Sequence, residues 1–187
     1  MPPQVDIKGA NVQYSVAGAR ERLGDEGYAR ILSTLTPEHR EALLEPILAA
    51  AWVPLDAYCA LLEALLREED HGFTGRFVKR AELLGQRHFN TLYPHLARCE
   101  SAEDLLRKAA AAHRLYYRGS EANLASVEAR QAVVRFTGFT TRHRLMQLTI
   151  EALYRVGLEL AGVKGATGRF TAPIEDGRPA ELTLRWK

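Results

Sequence analysis

Six histidines, His39, His71, His88, His95, His113 and His143, are the side chains best suited to hold a ligand or move a proton near neutral pH. No two of them stand four apart, so no helix face offers a paired ligand set. His88 and His95 are seven apart, but Pro94 distorts the register between them. His71 follows Glu68, Glu69 and Asp70, which could together hold a divalent ion, although contiguous acids more often form a solvated helix end. A metal is therefore not expected.

His113 has a different setting. It shares a helical stripe with Leu106, Ala109, Ala110 and Tyr117, and the run Ala109 to Ala112 leaves room beside the helix. An imidazole beside such a gap could coordinate haem or hydrogen-bond a ligand, with Tyr116, Tyr117, Trp52 and Tyr58 lining the pocket. The competing reading is a core histidine satisfied by a carbonyl, with alanines that allow close helix packing and aromatics that are simple core.

Other chemistry is missing. There is no G-x-x-x-x-G-K-[ST], H-E-x-x-H or G-x-S-x-G motif, and Gly162, Gly165 and Gly168 precede a strand rather than follow one. Cys59 and Cys99 belong to no CxxC pair, which favours a reducing compartment. The net charge of +2 is too small for a nucleic-acid footprint. Short basic clusters (Arg76, Lys79 and Arg80; Arg142, His143 and Arg144) read as solvated helix faces. No apolar run reaches the length of a membrane span and the N-terminus has no signal-like core, so a cytoplasmic location is expected.

The elements that must position these residues follow from period and caps. QVDIKG reads as a short strand ended by Gly9, followed by a helix over 12–23 that Gly24 terminates. Thr36-Pro37-Glu38 is a helix start, and the helix it opens is interrupted at Pro46. Pro54 begins the next helix. Its acidic end at 68–70 opposes the helix dipole and must fray or find cations. A helix over 75–97, bent near Pro94, is followed by one over 102–117 opened by Ser101-x-x-Asp104. From Ala122 to Gly138 the period becomes two, with a turn near 129–131.

The helix over 142–161 carries two apolar stripes. Leu145, Leu148, Ala152, Val156 and Leu160 form one, and Met146, Ile150, Leu153 and Gly157 the other. Such a helix is central or is covered by a partner chain. A second hairpin, 168–174 and 179–186, turns at Asp176-Gly177. The expected fold is α+β: several helices on a four-stranded antiparallel sheet made of two hairpins. All 187 residues are read as one domain, with a strand segment at 1–10, a mainly helical part at 11–118 and a hairpin-helix-hairpin at 119–187.

Leu35, Pro37, Arg40, Trp52, Pro54 and Leu55, within LTPEHREALL and AWVPLDAYCALLEAL, resemble a motif of a family of uncharacterised proteins of about this length found mainly in myxobacteria. LLRKAAAAHRLYYRG and the final hairpin ending in LRW are also similar, so that the resemblance covers nearly the whole chain from about Ile7. That family in turn resembles the group of 4-vinyl reductase-like domains, haem nitric oxide-binding domains and vesicle-trafficking subunits. The resemblance implies helices on a four-stranded sheet, an apolar ligand or dimer partner, and a sensing or scaffolding role. The chain departs from it in two ways: the terminal hairpin has no cysteines, and the Tyr-x-Ser-x-Arg signature of the haem sensors is missing. On that ground haem is not supported and the cofactor is left unknown.

The expected function is a non-enzymatic regulatory or sensory module that binds an apolar small molecule or a protein partner, as a homodimer formed through the 142–161 helix. One alternative is a structural adaptor with no ligand. Another, implied by the resemblance, is an enzyme acting on a tetrapyrrole or lipid-like substrate. Nucleic acid and a membrane span are not expected.

Overall fold

The computed structural model describes residues 4–44, 46–91, 99, 101–139, 144–171 and 178–187, with His88 described in its backbone alone. The chain opens with β1 (Asp6–Lys8) and runs directly into α1 (Gly9–Ser33). Gly24, at φ 70° and ψ 174°, breaks α1 where the sequence places a terminator. In α2 (Pro37–Ala42) the Thr36 side chain accepts from the His39 N–H at 3.3 Å. Then come β2 (Trp52–Pro54), α3 (Leu55–Asp70), α4 (Thr74–Thr91) and α5 (Ala102–Tyr116). The Ser101 hydroxyl caps α5, accepting from the Asp104 N–H at 3.1 Å. The chain continues through β3 (Tyr117–Arg118), β4 (Glu121–Glu128), β5 (Gln131–Thr137), α6 (Arg144–Leu160), β6 (Thr167–Phe170) and β7 (Ala180–Arg185).

Two antiparallel sheets result. The expected four-stranded sheet runs β4-β5-β7-β6, so the two hairpins join through β5 and β7. In their register Ala132 faces Leu184, Val134 faces Leu182 and Phe136 faces Ala180. All six are buried, while their alternates Gln131, Val133 and Arg135 are half-buried or exposed. The turn at Asp176-Gly177 lies outside the described residues, as do Pro94, His95, Arg142 and His143.

Of the second sheet, β2-β1-β3, only β1 is legible in the sequence, as the short strand ended by Gly9. The other two strands have two or three residues, too few to show a period. The sheet gathers the N-terminus, the entry to α3 and the exit from α5. Asp6, 4% exposed, accepts from the Arg118 guanidinium, with Nε at 2.9 Å. The α5 helix therefore stops one residue earlier than expected, because Tyr117 is extended (φ −131°, ψ 136°) and pairs with Ile7.

Apart from Leu160, which is exposed, both apolar stripes of α6 are covered within this one chain. On the α4 side, Gly157 lies under the Phe89 ring, Gly85 faces Leu153 and Val156, and Arg155 pairs with Glu82. Toward the sheet, the Glu151 carboxylate accepts from the Phe170 N–H at 2.7 Å. The helix is central without a partner chain, so its pattern gives no separate reason for a homodimer. The acidic end of α3 finds cations: Arg80 reaches both Glu69 and Asp70, and Arg22 also reaches Glu69.

Candidate functional site

His113 lies on the last turn of α5, where the helix meets both sheets. It is 7% exposed. Its ring stacks on Tyr117, with centroids 4.3 Å apart and an interplanar angle of 11°, and it meets Phe136 and Phe139 edge-on at 5.5 and 6.0 Å. This apolar enclosure disfavours the imidazolium, and burial pushes the His113 pKa down to about 4. The side chain is neutral at pH 7.

Its Nε2 lies 2.9 Å from the Ser120 hydroxyl oxygen, and the same hydroxyl donates to the Thr137 carbonyl at 2.7 Å. A serine hydroxyl has one hydrogen. With that hydrogen on Thr137, the first bond takes its hydrogen from the imidazole, so Nε2 carries the proton and the lone pair is on Nδ1. Two glycines allow this arrangement. Gly119 and Gly138 have φ of 78° and 87°, and a Cβ on Gly138 would run into the Gly119 carbonyl. The strand ends can therefore approach closely enough for Ser120 to reach Thr137.

A cavity of about 70 Å³ adjoins the imidazole, between α4, α5 and α6. Of the expected residues, His113, Ala109, Tyr116 and Tyr117 come together there. Ala112, from the same alanine run, also lines it. Ala110 is buried but is not part of the wall. Trp52 stands apart on β2, with Lys8 Nζ 4.1 Å above its ring and the Arg118 guanidinium 5.4 Å away. Tyr58 hydrogen-bonds Ser15 at 2.7 Å and lines a different, larger cleft.

Sequence reasoning misses the opposite wall, made by Phe89 of α4, Phe136 of β5, and Leu153, Tyr154 and Gly157 of α6. It also misses Ser120. Its one available signal is the Gly119-Ser120 pair that follows the helix, a turn dipeptide that also supplies a hydroxyl seven residues from His113. Burial raises the Tyr154 and Tyr116 phenols above the usual range, so both remain protonated donors. Among the described residues no group of three or more His, Cys, Asp and Glu converges on a point.

No family model matches the sequence, and neither does any curated protein, so the resemblance to the myxobacterial family rests on the motifs quoted above. Solved structures do match. The Fe(II) unliganded H-NOX protein from K. algicida aligns with a TM-score of 0.72 at 13% identity, over 97% of each chain. An H-NOX protein from S. oneidensis in the Fe(II)NO state aligns at 0.65 and 13% identity, over 97% of this chain and 99% of that one. A structure solved to probe heme distortion in the H-NOX family aligns at 0.67 and 10% identity, over 97% and 95%.

These likenesses establish the fold, an α+β arrangement shared with H-NOX proteins. They also correct one expectation. The missing Tyr-x-Ser-x-Arg signature is no ground against haem, because the fold is shared with proteins described by their Fe(II) state and heme. The residues meet that group in part. A neutral imidazole in an aromatic enclosure is a suitable donor, whereas small-molecule sites typically offer about 300–1,000 Å³. In this conformation the space is about 70 Å³ and Nε2 is bonded to Ser120. A macrocycle therefore requires the lining of Phe89, Tyr117 and Leu153 to move, and donation through Nε2 rather than Nδ1 would also require the Ser120 bond to be given up.

Proposed function

We infer that this chain is a sensory module that takes a small molecule between α4, α5 and α6, with His113 as the polar group that fixes it and haem as the first ligand to test. The observation that carries this reading is His113 itself, a buried and neutral imidazole bordering a cavity at the junction of helices and sheet. The likeness to H-NOX proteins supports it. The absence of hydrolase, metalloprotease and nucleotide motifs favours binding over catalysis.

The geometry also supplies a means of reporting occupancy. The imidazole is bonded to Ser120, and Ser120 to the carbonyl of Thr137 at the end of β5. A ligand that draws His113 away from Ser120 loosens the contact between the start of β4 and the end of β5, so the central sheet strand senses the event. Haem, when bound, would supply an iron able to bind a small molecule. The residues of this chain would supply the imidazole, the aromatic walls that exclude water, and the coupling to the sheet.

Native mass spectrometry of the chain, expressed in cells fed 5-aminolaevulinate, tests the reading. It predicts an adduct that is lost on denaturation and is absent from His113→Ala. Protein at its bare mass from those cells, together with no haemin uptake in vitro, would refute it.

A further inference from the structure

A second cavity, of about 450 Å³, opens between α1, α3 and α4. Its volume lies within the range that accommodates small molecules. The interior is apolar, walled by Leu62 and Leu65 of α3 and by Phe77, Ala81 and Leu84 of α4. The polar groups at its base are already satisfied: Tyr58 and Ser15 bond each other at 2.7 Å, and Thr149 donates to the Leu145 carbonyl at 2.9 Å. Nothing in the depth of the cleft calls for a polar guest.

The lining changes character at the mouth, where Arg22, Arg80 and Arg87 stand with a single acid, Glu21. Glu69 and Asp70, with side chains 7% and 5% exposed, lie behind the arginines and are not part of the wall. They fix the guanidinium groups in place: Glu69 accepts from Arg22 Nε and Nη2 at 2.5 and 3.0 Å and from Arg80 Nη1 at 2.8 Å. Forked pairs of this kind hold a side chain in one orientation, so little freedom is lost when its remaining N–H groups meet an anion. Arg87 is held loosely, 3.9 Å from Glu21, with both side chains more than 65% exposed.

Gly18 completes the shape. It lines the cleft from α1, and a Cβ there would meet only the end of the flexible Arg22 side chain, at 2.9 Å. The chain thus has an apolar trough with prearranged cations at its lip, separate from His113. We propose that this cleft binds an amphipathic anion, an apolar chain or ring carrying a carboxylate. The apolar part lies against Leu62, Leu65, Phe77 and Leu84, and the carboxylate at Arg22 and Arg87.

Isothermal titration of the full chain with decanoate, and with 1-decanol as the uncharged control, tests the assignment. Decanoate binds one to one, at least tenfold more tightly than decanol, and more weakly as salt rises. Gly18→Leu fills the trough from a helical position where leucine is the better helix former, and Arg87→Glu reverses the charge of an exposed side chain. Each weakens decanoate at least tenfold while keeping the wild-type circular dichroism. His113→Ala binds decanoate like the wild type, which separates this site from the pocket above. No decanoate binding, equal affinity for acid and alcohol, or undiminished binding in folded Gly18→Leu would overturn the proposal.

Discussion

The imidazole Nε2 of His113 and the hydroxyl of Ser120 are 2.9 Å apart, although one belongs to the end of a helix and the other to the entrance of a sheet. The bond orders the imidazole tautomer, and through Thr137 it joins α5 to both β4 and β5. Ser120→Ala leaves the His113 Nε2–H and the Thr137 carbonyl each without this partner. A loss of about 1–3 kcal/mol is expected, read from the urea midpoint. Ser120→Thr, which retains the hydroxyl, recovers part of it.

His113 also makes stability depend on pH in a defined direction. Its pKa falls from 6.5 in the unfolded chain to about 4 in the fold, so between those values the unfolded chain binds more protons. Stability from this group is complete above pH 7 and is lost as pH falls from 6.5 toward 4. The total is about 3 kcal/mol. Denaturant midpoints at pH 7.5 and 5.0 should differ more for the wild type than for His113→Phe.

The paired charges at the end of α3 should respond asymmetrically. Arg80 bonds Glu69 and both oxygens of Asp70, and the two acids are almost entirely buried. Arg80→Ala strands Asp70 and leaves Glu69 with Arg22 alone, and should cost about 3–5 kcal/mol in chemical denaturation. Arg107→Ala removes an exposed pair with Glu103 one helical turn away and should cost less than about 0.5 kcal/mol.

Gly157 governs how closely α6 approaches α4. A Cβ there would come within 2.5 Å of the buried Phe89 ring, which is also part of the His113 pocket wall. Gly157→Ala gains helix propensity but forces the ring to move. A net loss of about 1–3 kcal/mol is expected in thermal or urea melts. Ligand uptake beside His113 should fall with it.

Much of this organisation is readable from pattern alone. The hairpin over β4 and β5, the cap at Ser101, the break at Gly24 and the central place of α6 each follow from a period or a cap. Half of the site is readable for the same reason, because Ala109, His113 and Tyr116 lie on one short stretch of helix and Tyr117 follows it directly. The other half comes from α4, β5 and α6, which reach His113 only through tertiary packing, and no sequence spacing records that approach. Of the β2-β1-β3 sheet only β1 is readable, and β2 and β3 are hidden because strands of two or three residues have no period. Trp52 and Tyr58 illustrate the converse: their aromatic character suggested a pocket, while β2 carries one to a cation-lined surface and α3 turns the other toward Ser15.

The central claim, that the His113 pocket is a ligand site, is tested most directly by haemin titration followed by absorbance, comparing wild type with His113→Gly in the presence and absence of imidazole. The account predicts a saturating one-to-one Soret shift in the wild type, its loss in the variant, and its return when imidazole fills the vacated position. Wild type and variant that give the same spectrum, or no saturable change in either, would contradict it.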